Sequence, residues 1–317
     1  MDLSCRSCPE SRAPARKAGF RLVSVMLAAA ALWIGTSCEK EGTYDPGFGR
    51  VMPGIDLYPA WNPDGSAIAF RHIGVVSIDY DKKLYEIDPD SAGIRLVGPD
   101  GSGKRMLLPS AIEAAWSPDG RWLAVTRGAH IWKIKADGDS LTQLTFEGKN
   151  FSPAWSPDGE WIAYDCNLIS SGGYAIWLMR PDGKDARLLV SGRFADWHPD
   201  GGRLVSRGLV PDVGGGIVRY DLNDGTRTLL FDTGERGIIR YVRYSPDGGK
   251  IAFNWSDHRV WVMESDGYNP RRLSSGSGVG GMSWSPDGAH IVYAAEKGLW
   301  IADSDGGNPR QLTFPPE

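Results

Sequence analysis

One five-residue pattern, an aromatic followed by any residue and then Pro-Asp-Gly, recurs six times: Trp61-Asn-Pro-Asp-Gly65, Trp116-Ser-Pro-Asp-Gly120, Trp155-Ser-Pro-Asp-Gly159, Trp197-His-Pro-Asp-Gly201, Tyr244-Ser-Pro-Asp-Gly248 and Trp284-Ser-Pro-Asp-Gly288. Each copy has the residue order of a tight turn. Pro presets φ for the second position, Asp tolerates the bridge region, and Gly supplies the conformation that closes the turn. A strand therefore enters each copy on its aromatic, and another leaves after the glycine.

The departing segments agree. Ala67-Ile-Ala-Phe70, Trp122-Leu-Ala-Val125, Trp161-Ile-Ala-Tyr164, Leu204-Val205, Ile251-Ala-Phe253 and Ile291-Val-Tyr293 are short apolar stretches with strand character. Later in each unit an Asp-Gly pair recurs, at Asp100, Asp137, Asp182, Asp224, Asp266 and Asp305. Strand-like segments such as Ile131-Trp-Lys-Ile134 and Val260-Trp-Val-Met263 precede it, and Leu141-Thr-Gln-Leu-Thr145 or Arg310-Gln-Leu-Thr313 follow it. Each unit thus reads as a four-stranded meander, a to d, with tight a–b and c–d turns. Successive aromatics stand 55, 39, 42, 47 and 40 residues apart, near the roughly 40 to 45 residues of one propeller blade.

The expected fold is all-β, a six-bladed β-propeller of four-stranded antiparallel blades. The 41 Gly, 21 Pro and 13 Trp, with 23% charged residues, suit a turn-rich sheet protein. Blades are expected at about 55–109, 110–147, 150–191, 192–233, 236–275 and 278–315. Residues 38–54 are left as a linker or closure segment, with 44–54 open to adding an outer strand to the last blade. One such sheet cannot hide both apolar faces alone, so each packs against two neighbours around a ring. Trp61, Trp116, Trp155, Trp197, Tyr244 and Trp284 then read as structural wedges between blades, since they hold one fixed place in every repeat.

These motifs resemble the TolB-like propeller repeat, whose consensus runs approximately Pro-x-Trp-Ser-Pro-Asp-Gly, Ile-Ala-Phe, Ile-Trp-x-Met, Asp-Gly, Leu-Thr. The resemblance covers residues 55–314. It implies a fold and leaves function open, because the repeat occurs in TolB, in the propellers of prolyl-oligopeptidase-like and tricorn-like peptidases, and in lone exported propellers.

The N-terminus reads as an address. Residues 1–21 are basic, an apolar run of 14 residues follows from Leu22 to Gly35, and small residues lead to Cys38. That order is a secretory signal over residues 1–37, the run being shorter than the roughly 20 residues of a membrane-spanning helix. The segment resembles the lipobox of bacterial lipoproteins, although Gly35 stands where Leu is usual, and ordinary cleavage nearby is the alternative. Lipidation of Cys38 would anchor the domain to a membrane, and Glu39 after it points to the outer membrane. The expected location is periplasmic or cell-surface.

Several chemical signals fail on their context. Cys5 and Cys8 have zinc-like spacing but lie in the leader, and Cys166 is left alone, which excludes a disulfide framework. Gly98 to Lys104 has phosphate-loop spacing, but Arg105 replaces the Ser or Thr and the segment is a c–d turn. Asp88-Pro-Asp90 and Asp303-Ser-Asp305 lack the glutamate of a calcium loop. No Gly-x-Ser-x-Gly elbow is present, so no fused peptidase domain is expected. The net charge of −4 argues against a nucleic-acid partner.

What remains is binding. From first to second Asp, the six units measure 36, 18, 24, 24, 19 and 18 residues, which places insertions in the b–c connections of blades one, three and four. Variable loops on a rigid scaffold are where binding resides. The candidate residues are His72, Asp79, Tyr80, Asp81, Lys82, Tyr85, Asn167 and Asp212, and the blade-one insertion is expected to form an extra hairpin. The favoured reading is a non-catalytic envelope scaffold that binds a protein or peptide through its b–c/d–a face, with no cofactor, no catalytic residue and no metal. The alternative is a carbohydrate-active, lyase-like propeller with a channel metal, for which His72 is the one nominee.

Overall fold

In the computed structural model, residues 52–79, 84–167, 173–210, 214–234, 238–255, 257, 259–274, 280–295 and 298–314 are described. They form six four-stranded antiparallel sheets, each built from four strands consecutive in sequence. Blade one runs through β1 (Met52–Trp61), β2 (Ile68–Asp79), β3 (Leu84–Val97) and β4 (Arg105–Pro109). Blade two has β5 (Ala111–Trp116), β6 (Trp122–Arg127), β7 (His130–Lys135) and β8 (Thr142–Gln143). Blade three follows with β9 (Lys149–Trp155), β10 (Ile162–Asn167), β11 (Tyr174–Met179) and β12 (Arg187–Ser191). In blade four these are β13 (Arg193–Trp197), β14 (Arg203–Val210), β15 (Gly214–Asp221) and β16 (Arg227–Asp232). Blade five comprises β17 (Arg240–Tyr244), β18 (Lys250–Asn254), β19 (Val260–Glu264) and β20 (Arg271–Arg272). Blade six ends the series with β21 (Met282–Trp284), β22 (His290–Ala295), β23 (Gly298–Asp303) and β24 (Arg310–Gln311). No helix among the described residues is long and apolar enough to cross a membrane.

Local chemistry sets the a–b turns. In blade two the Gly120 amide donates to the Ser117 carbonyl at 2.9 Å, and Gly120 takes a φ of 69°. Asp119 accepts from the Arg121 amide at 3.0 Å and from the Ser117 hydroxyl at 2.5 Å. The Ser117 bond is the largest cause holding the Asp119 carboxyl down, at about 2. The same double acceptance recurs at Asp158, Asp247 and Asp287.

Burial then closes the ring. Six apolar clusters correspond to the six seams between neighbouring blades, and each takes in one wedge aromatic. Trp116 belongs to the seam of blades one and two, Trp155 to two and three, and Trp197 to three and four. Tyr244 serves blades four and five, Trp284 five and six, and Trp61 six and one. Several indoles also donate backward across their seam: Trp116 to the Ala60 carbonyl at 3.0 Å, Trp197 to Ala154 at 3.1 Å and Trp284 to Arg243 at 3.3 Å. Carboxylates stitch in the other direction, with Glu113 accepting from the Ser152 amide at 2.7 Å, Asp165 from Phe194 at 2.9 Å and Asp196 from Tyr244 at 2.8 Å.

Among the described residues the last seam is made without a shared strand. Residues 52–54 begin β1, in blade one, while blade six is completed by β24 from the C-terminal end, so the outer-strand option for 44–54 does not apply to these three residues. Tyr58 donates its amide to the Gly280 carbonyl, and the Trp61 amide donates to Ser283 Oγ at 3.0 Å. Ile68, Phe70 and Val97 pack there against Val292, Ala294, Leu299 and Leu312.

Candidate binding groove on the b–c and d–a face

The strand directions put a–b and c–d turns at one end of the ring, and b–c and d–a connections at the other. At the a–b end the inner strands surround a small mouth of about 250 Å³, lined by Trp61, Trp116, Trp155, Trp197, Tyr244 and Trp284. Between the two ends three inner-strand aromatics pack together. Tyr58, Phe194 and Tyr241 hold the same place in their blades, three residues before the wedge aromatic, with left-handed φ values of 54°, 59° and 49°. Tyr241 lies 5.2 Å from Tyr58 and 4.8 Å from Phe194, centroid to centroid. Blade six, which stands between blades five and one, has Gly281 at this position, and a Cβ there would sit 3.4 Å from the Tyr58 backbone. Burial raises the Tyr241 hydroxyl well above the usual phenol range, with Tyr58 and Glu113 beside it adding to the effect.

The opposite end carries a larger recess of about 710 Å³ between blades three and four. Tyr174, Trp177, Leu188 and Leu209 supply apolar walls, and Arg193 and Arg207 supply charge. Leu188 and Leu209 are 59% and 67% exposed, unusual for leucines on sheet strands. Arg193 and Arg207 are register partners on β13 and β14, so two like charges stand directly opposite. Arg193 also lies 3.7 Å from the Tyr174 ring centroid and 3.4 Å from the Asp165 carboxylate. Asp165 is fully buried, and desolvation pushes its carboxyl up to about 7 despite the opposing pull of Arg193. Arg207 is pushed below its usual range by burial and then by Arg193 and Arg240. Cys166, a groove residue, is a buried free thiol raised by desolvation.

The residues singled out from sequence are dispersed. His72 lies within β2, 6% exposed, with Nδ1 2.6 Å from Asp56 Oδ1, and so faces the seam of blades one and six. Among the described residues no three His, Cys, Asp or Glu side chains stand close enough together to hold a metal. The backbones of Asp79 and Tyr85 pair with Leu84 and Ile78, so the blade-one insertion is a hairpin that prolongs β2 and β3. Asn167 ends β10 beside the groove, paired with Tyr174 and Lys149. Cys38, Tyr80, Asp81, Lys82 and Asp212 lie outside the described residues. Of the inserted connections, blade four's is also largely ladder, from Gly208 opposite Gly216 to Val210 opposite Gly214.

Sequence reasoning passed over Arg193, Arg207, Asp165 and the trio of Tyr58, Phe194 and Tyr241. The trio had a signal, a fixed offset of three residues from each wedge aromatic. The arginines had none, because their pairing depends on the β13 bulge between Arg193 and Asp196.

No family model matches the chain. An uncharacterized protein of Agrobacterium fabrum is 27% identical over 206 residues, 59% of this chain and 67% of that one. Among solved structures, TolB from Acinetobacter baumannii superposes with a TM-score of 0.61 at 20% identity, over 81% of this chain and 80% of its own. A putative TolB from Agrobacterium tumefaciens gives 0.55 at 25% identity, over 70% and 86%. Repeat, blade number and likeness to these two structures agree: the chain is a six-bladed β-propeller, and its fold is similar to that of these TolB structures.

Proposed function

We propose that this propeller is an exported binding scaffold of the cell envelope, without catalytic activity of its own, and that it engages a protein or peptide through the b–c and d–a end of the ring. The likeness to two TolB structures supports the envelope setting. In this reading residues 1–37 direct export, and Cys38 carries the lipid that holds the domain at the outer membrane.

One observation carries the choice of face. Of the eight large apolar side chains that stand exposed among the described residues, Ile55, Phe146, Leu209, Ile238 and Phe314 lie at strand ends or connections of the b–c/d–a end, where the 710 Å³ groove also opens. At the other end, among the described residues, only Leu141 and Tyr268 are comparable, around turns that repeat one polar design. Exposed apolar residues gathered on one face mark interaction surfaces.

A photo-crosslinking residue placed at Leu209 or Phe146, and separately at Leu141 or Tyr268, tests this in the exporting cell. Discrete adducts from the first pair and none from the second are expected. Adducts from Leu141 or Tyr268 alone, or from neither pair, contradict the reading.

A further inference from the structure

The groove between blades three and four has more donors than acceptors. Arg193 spends part of its charge on Asp165 and stacks on Tyr174. The guanidinium of Arg207, its register partner, makes no hydrogen bond or ion pair with any described residue. Arg240 begins β17 of the next blade, at the strand position that Arg193 holds in β13, and it too lacks a carboxylate partner among the described residues. The Trp177 indole Nε1, in the groove wall, has no acceptor among the described residues. In a chain of net charge −4 this is a local inversion of sign. Two guanidinium groups held opposite each other repel unless an anion lies between them, and the planar guanidinium fork suits a carboxylate best.

Beside these charges stand Leu188, Leu209 and the rings of Tyr174 and Trp177. A simple inorganic anion leaves that apolar wall wet, and a sugar acid presents hydroxyls to it. A peptide with an aspartate or glutamate next to aliphatic residues satisfies both halves. A recess of about 710 Å³ falls within the roughly 300–1,000 Å³ typical of sites that enclose a small ligand, which suits a few residues of chain.

We infer that the groove bounded by Arg193, Arg207, Leu188 and Leu209 is a recognition site for an acidic peptide segment, its carboxylate set between the two arginines and its aliphatic side chains against the two leucines. This rests on the reading of the b–c/d–a end as the binding face, and it names what that face selects.

A random hexapeptide library displayed on phage, selected on the purified protein and on Arg207→Gln and Leu209→Ser, tests the assignment. Wild type is expected to enrich peptides that pair Asp or Glu with Leu, Ile or Val, with binding that weakens at least tenfold in either variant and falls as salt rises. Thermal melts control for folding: because Arg207 faces a like charge, Arg207→Gln is expected to melt no lower than wild type. A lower melting midpoint would make Arg207 structural and overturn the assignment. No enrichment, a consensus without an acidic residue, or tighter binding of polygalacturonate than of any selected peptide would overturn it as well. Peptides that bind both variants unchanged yet compete with the Leu209 crosslink would overturn this site while leaving the binding face intact.

Discussion

His72 Nδ1 lies 2.6 Å from Asp56 Oδ1, and the other oxygen of that carboxylate accepts from the Thr313 hydroxyl at 2.5 Å. One aspartate near the start of β1 thus ties β2 to the residues that follow the last strand, across the only seam whose two blades are far apart in sequence. Both members of the His–Asp pair are almost wholly buried. Removing the carboxylate strands two polar groups in the interior, so Asp56→Ala is expected to cost about 3 kcal/mol or more in urea unfolding. A loss under about 1 kcal/mol would show that the seam holds without the latch.

The wedge indoles differ in a way that separates packing from hydrogen bonding. Trp197 donates to the Ala154 carbonyl, whereas the buried Nε1 of Trp155 has no acceptor among the described residues. Replacement by Phe keeps most of the ring and removes the donor. Trp197→Phe is therefore expected to lose about 1 kcal/mol more than Trp155→Phe, and equal losses would contradict the assigned bond. Truncation of Trp116 or Trp197 to Ala is expected to cost about 3–5 kcal/mol.

Asp165 gives the protein a pH dependence of unusual sign. Burial raises its carboxyl from 3.8 to about 7, so between those values the folded chain holds a proton that the unfolded chain has lost. Its contribution to stability is complete below about pH 4, falls as pH rises, and levels off above about 7. Asp165→Asn removes the titration, so its stability relative to wild type is expected to increase across that window, by at most about 1.4 kcal/mol per pH unit. A relative stability that does not change with pH would refute the shifted carboxyl.

The turn aspartates behave in the opposite direction. Asp119 is held at about 2 chiefly by the Ser117 hydroxyl, so its contribution is present above the ordinary carboxylate range and is lost as pH falls toward 2. Ser117→Ala is expected to move the Asp119 carboxyl up toward its usual value. Carbon-detected NMR titration measures that midpoint directly.

The turns were legible because their chemistry is local: Ser, Pro, Asp and Gly each act within a few residues, and six repetitions left little room for another reading. Ring closure followed from the same repeats through burial. The contacts that give each seam and the groove their character were not legible, since each joins positions remote in sequence. The Asp56 contact with Thr313 spans 257 residues, and Arg193 meets Arg207 only through a bulge-shifted register. Of the b–c insertions expected from the sequence, those of blades one and four are ladder in their described parts, because Val, Ile and Gly in these stretches pair across the two strands, and residues 168–172 of blade three's lie outside the described residues.

Binding at the b–c/d–a end is tested most directly by where a partner touches the ring. With the partner captured through Leu209 purified and recombined with the protein, amide hydrogen exchange should slow in Arg187–Ser191, Arg203–Val210 and Gly214–Asp221, the strands that wall the groove. The a–b turns around Gly120, Gly159 and Gly288 should exchange as in the free protein. Protection confined to those turns, with the groove strands unchanged, would contradict it.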